Sequence, residues 1–105
     1  MHADIAEKRD ELIALCRRYD VARLEVFGSA ARGVDFDPAT SDADFLVEFI
    51  PDSRMASLAQ FFDLAEALER LFGRRVDLVE RKTLDQSRNY IRRRSILKDA
   101  QPVYG

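Results

Sequence analysis

The chain has 105 residues, with 17 Lys and Arg against 19 Asp and Glu, a formal net charge of −2 and one cysteine. That length supports one hydrophobic core but not a catalytic domain plus a separate substrate-recognition domain, so the expected organisation is a single domain over residues 1–105. The near-even charge gives no reason to expect direct nucleic-acid binding, Cys16 has no internal disulfide partner, and no apolar run is long enough to span a membrane; with a charged N-terminus, the cytoplasm is the default compartment.

In chain order, Ile5, Leu12, Cys16 and Tyr19 follow helical spacing and predict one N-terminal helix that ends before Val21, with Cys16 packed inside. Leu24-Glu25-Val26-Phe27 reads as a short strand, and Gly28-Ser29 then turns the chain into Ala30-Ala31, which can begin a helix. Such a turn offers backbone N–H groups and the positive end of a helix dipole to a phosphate, and Gly28 lets the phosphate approach without a Cβ in the way. Ser29 adds a hydroxyl donor. Arg32 adds a guanidinium that either touches phosphate or pairs with Asp35, Asp37 or Asp42. Residues 33–40 read as a loop able to sit over bound nucleotide, and Ser41 as a cap that orients Asp42.

Asp42 and Asp44 lead into the strand pattern Phe45-Leu46-Val47-Glu48-Phe49. Two residues apart on a strand, their carboxylates share a face, with Cα atoms roughly 6 to 7 Å apart. Convergent oxygens of this kind suit a hard cation such as magnesium. Ala43, Phe45, Val47 and Phe49 then face the core, while Leu46 and Glu48 lie on the acids' side, Glu48 as a solvated or paired surface acid. Pro51-Asp52-Ser53 breaks the pattern. Leu58, Phe61, Phe62, Ala65, Leu68 and Phe72 predict a core helix closing at Gly73, with Ser57 and Gln60 as its capping box.

Arg75 to Val79 is another strand pattern, in which Val76 and Leu78 point inward and Asp77 outward. Beside the first acidic strand, it would bring a third carboxylate to the site, able to bind metal and to take the proton of an attacking hydroxyl. Thr83-Leu84-Asp85-Gln86 offers a cap for a last helix running to about Lys98. On it, Arg88, Arg92, Arg93, Arg94 and Lys98 are either a solvated face or a patch for an acidic partner or the nucleotide. The tail Pro102-Val103-Tyr104 is apolar enough to dock locally.

The order Gly-Ser-x-Ala-Arg-Gly (28–33), Ser-Asp-x-Asp (41–44) and Val-Asp-Leu-Val (76–79) resembles the minimal nucleotidyltransferases of the DNA polymerase beta superfamily, the MntA-type antitoxin partners of HEPN toxins. Only the middle position, Ala43, is smaller than the usual aliphatic residue. The resemblance implies an α/β (α+β) fold with a small mixed β-sheet, carboxylates on one exposed face and helices packed on the other. It implies Asp42, Asp44 and Asp77 as catalytic, metal-binding acids for two Mg2+ ions, with Gly28, Ser29, Arg32 and Ser41 binding the nucleotide. The implied reaction moves AMP from ATP to a protein hydroxyl, a tyrosine of a HEPN-type toxin. Two other readings remain open: an antitoxin that neutralises by binding alone, and nucleotidyl transfer to a small molecule such as an antibiotic, which the short chain disfavours.

Overall fold

A computed structural model gives the fold of residues 3–28, 43–52 and 57–105. In chain order the elements are α1 (Ala3–Glu7), α2 (Arg9–Arg18), β1 (Val21–Phe27), β2 (Ala43–Phe49), α3 (Ser57–Phe72), β3 (Val76–Glu80), α4 (Arg81–Asp85), α5 (Tyr90–Asp99) and β4 (Gln101–Tyr104). The strands form one sheet in the order β3-β2-β1-β4. β1 runs antiparallel to β2 and β4, whereas β2 and β3 are parallel and joined through α3, as a parallel pair requires. This is the mixed sheet of an α+β protein that the motifs imply.

Alternation along the strands decides the layers. Leu24 and Val26 of β1, Ala43, Phe45 and Val47 of β2, and Val76 and Leu78 of β3 form one core with Leu12 and Cys16 of α2 and with Leu64, Leu68 and Phe72 of α3. Phe45 and Phe72 stack there with ring centroids 5.7 Å apart. The opposite face holds a smaller cluster of Phe27, Leu46, Leu84 and Ile96, so α4 and α5 cover part of the side that bears the acids.

Three local expectations change. The N-terminal helix is two helices, interrupted at Lys8, whose Nζ donates to the Leu71 carbonyl at 2.6 Å and lies 5.6 Å from the Phe72 ring centroid. A cation at the carbonyl end of α3 is electrostatically favourable, and Ile5 still reaches the core. On α3, Leu58 and Phe62 are not core residues: they are 71% and 60% exposed. A helix apolar over so wide an arc can seat only part of it, and Leu64, Ala67, Leu68 and Phe72 take the sheet side. Gln60 is buried with them, donating its Nε2 to the Tyr19 carbonyl at 2.6 Å. Thr83 lies inside α4 and caps nothing; α5 begins instead at Tyr90, where Asn89 Oδ1 accepts from the Arg92 N–H at 3.1 Å. Gly73 does close α3, in the left-handed conformation at φ +64°, with its N–H donating to the Glu69 carbonyl. The tail is β4, an edge strand in which Pro102 is tolerated and Val103 is buried.

Candidate active site

Because β1 runs opposite to β2 and β3, the end of β1 and the beginnings of the other two strands meet at one edge of the sheet. Phe27 is opposite Asp44, and Asp44 is opposite Asp77. Neighbouring strands are about 4.8 Å apart, and residues in register across a parallel pair point to the same face. The expected convergence of Asp44 and Asp77 is therefore present, on the side away from the main core; Asp77 is exposed and Asp44 half-buried.

Gly28 follows β1 at this edge with φ +70°. A Cβ there would fall 2.5 Å from Asp44 Oδ2, closer than any real side chain tolerates. Glycine is favoured here for its backbone conformation, and any larger residue would also have to push the Asp44 carboxylate aside. Ser29, Arg32, Ser41 and Asp42 lie outside the described residues. The hard oxygen donors of Asp44 and Asp77, beside a turn whose glycine leaves the Asp44 carboxylate undisturbed, fit a magnesium ion chelated by nucleotide phosphates.

The same face continues into charges that the sequence did not single out. Glu25, with a side chain 6% exposed, accepts from Arg81 Nη1 at 2.6 Å and sits 3.2 Å from Arg23 Nε. Arg81 Nε also lies 3.9 Å from Glu48 Oε2, which makes Glu48 the paired surface acid expected. Arg81 begins α4 directly after β3, so the ion pair ties that helix across β2 to β1. A carboxylate in the middle of Leu24-Glu25-Val26-Phe27 was the available signal, since a buried charge demands a partner. Cys16 has no part in the site: burial pushes its thiol up to about 12, and it packs against α-helical and sheet neighbours in the main core.

Comparison with known proteins agrees with this fold. The family described as "Nucleotidyltransferase domain" matches residues 11–102. The protein adenylyltransferase MntA of Thermococcus cleftensis is 43% identical over 70 residues, 67% of this chain and 66% of its own, so the match spans just under two thirds of that relative. A solved minimal nucleotidyltransferase superposes with a TM-score of 0.70 at 34% identity, covering 93% of this chain and 91% of its own. A chain from the complex of tri-AMPylated Shewanella oneidensis HEPN toxin with its MNT antitoxin shares the fold, with a TM-score of 0.62 at 17% identity over 96% of this chain and 72% of its own.

Proposed function

Since the chain belongs to the nucleotidyltransferase domain family, we propose that it transfers AMP from ATP to a tyrosine hydroxyl of a HEPN-type toxin and so serves as the antitoxin of a cytoplasmic pair. The observation that carries this reading is the register pair Asp44 and Asp77, set beside the open turn at Gly28. The name of the Thermococcus cleftensis relative supports protein adenylylation, and the Shewanella oneidensis complex supports the class of partner.

In this reading Asp44 and Asp77, with Asp42 before them in the chain, hold the cation, and Gly28, Ser29, Arg32 and Ser41 receive the phosphates. Magnesium, as one or two ions, would supply charge neutralisation of the triphosphate when bound. Gly28 leaves the backbone open to the phosphates, and the short distance to Asp44 keeps the nucleotide next to the acids. The acceptor oxygen attacks the α-phosphorus, a new O–P bond forms, the bond to the β-phosphate bridging oxygen breaks, and pyrophosphate leaves. Asp77, exposed at the edge of the site, takes the hydroxyl proton.

The test is the intact mass of a HEPN-type partner after incubation with ATP and magnesium. Wild type is expected to add AMP, and Asp44→Asn to lose at least about a hundredfold of the rate, the scale on which transition-state charge stabilisation acts. Neutralisation of the toxin by both forms without any mass gain would replace this reading with inhibition by binding alone.

A further inference from the structure

Among the described strands, β3 has a neighbour on one side only. Along its other side runs a groove of about 560 Å³, lined by the four successive residues Asp77, Leu78, Val79 and Glu80, by Leu58 and Phe62 of α3, and by Arg92 of α5. Side chains of a strand alternate between faces, so four successive residues can line one groove only along the strand's edge. A sheet edge presents unpaired N–H and C=O groups, which an extended peptide can satisfy as an added strand.

The groove's two walls differ in chemistry. Leu58 and Phe62 stand on the side of the main core, where Leu78 points; Arg92 belongs to α5, which covers the face of Asp77 and Val79. Arg92 is exposed and, with Arg88, Arg94 and Lys98, makes no ion pair to another described residue. Arg93 is engaged differently, against the Tyr90 ring at 4.9 Å and the Asp85 carbonyl at 3.3 Å. The chain as a whole is slightly acidic, so the cation that Arg92 sets in the groove's wall is a local feature.

We infer that the outer edge of β3 binds the acceptor itself, as an extended segment with the modified hydroxyl beside Asp77, an apolar side chain next to it against Leu58 and Phe62, and an acidic side chain two residues away on the Arg92 side. This deepens the adenylyl-transfer reading and rests on it. The period of two matches both walls: residues i and i+2 of an added strand share the face of Asp77, and residue i+1 takes the face of Leu58 and Phe62. Backbone pairing holds the segment, and the alternating side chains select it.

The test uses the full chain with ATP, magnesium and three synthetic peptides centred on tyrosine: Glu-Leu-Tyr-Leu-Glu, Lys-Leu-Tyr-Leu-Lys, and the first peptide N-methylated at both leucines. A HEPN-type protein partner serves as the control acceptor, and AMP incorporation is read by mass. Wild type is expected to favour the acidic peptide over the lysine peptide about fivefold in kcat/KM, as partly exposed ion pairs allow, and Arg92→Glu is expected to reverse that order. N-methylation is expected to lower kcat/KM by about tenfold or more through lost backbone pairing. Phe62→Ser is expected to raise KM for the acidic peptide with kcat and the melting temperature unchanged. Equal kcat/KM for all three peptides would overturn the inference, as would labelling of the protein partner with none of the peptides. A chain that dimerises through this edge and is indifferent to peptide sequence would assign the edge to a second copy instead. If neither the protein partner nor any peptide is labelled, the adenylyl-transfer reading itself falls.

Discussion

β2 carries two different surfaces on one strand. Ala43, Phe45 and Val47 are fully buried against α2 and α3, while Asp44 and Glu48 on the other side face charged neighbours and solvent. The first face is close-packed hydrocarbon, and burial of roughly 25 cal/mol per Å2 of apolar surface drives folding there. Among the described residues the second has four buried side chains in its apolar cluster, Leu84 of α4 among them, and the Glu25 to Arg81 pair adds a tie that holds α4 to the sheet. A rigid face thus holds carboxylates at one sheet edge whose mutual repulsion no folding requirement would select.

The largest effect should come from breaking the apolar face. Phe45→Ala removes a ring stacked on Phe72 at full burial and is expected to cost about 4 kcal/mol in urea unfolding, the usual scale for such cavities. Asp77→Asn, one strand away and on the exposed side, should leave stability within about 0.5 kcal/mol while abolishing transfer. A shared loss of stability would mean that the two faces are not separate in function. Between these lies Arg81→Ala, which leaves Glu25 buried with Arg23 as its remaining cationic neighbour and is expected to cost about 2 kcal/mol, the range for an under-satisfied buried polar group after allowing for the partial exposure of Arg81. Loss of α4 protection in hydrogen exchange, without loss at Phe45, would sharpen the contrast.

The smallest effect lies in pH. Burial raises the Cys16 thiol from its ordinary value of 9.0 to about 12, so the unfolded thiol ionises first. Its contribution to stability is full below about pH 9 and is lost as pH rises toward about 12. Urea unfolding of wild type and Cys16→Ala at pH 8 and pH 10 checks this, the two pH dependences diverging only at the higher value.

Sequence alone determined β1, β2 and β3, the turn at Gly28, the inward alternation of β2 and the closing of α3 at Gly73, because each is a local preference of backbone conformation or of period, whereas the tail became β4 only by pairing with β1. It also named Asp44 and Asp77 as partners, through a family pattern; their adjacency is a matter of strand register, to which periodicity is blind. Three further features depended on tertiary contacts. Helix α3 could have turned any part of its broad apolar arc inward, and the sheet's shape chose Leu64 and Ala67 while leaving Leu58 and Phe62 in solvent. The Lys8 break answers to a carbonyl 63 residues away in the chain. Glu25 and Arg81 meet across an intervening strand; the carboxylate inside an apolar strand signals that a partner is needed, but nothing local to either segment says which residue it is.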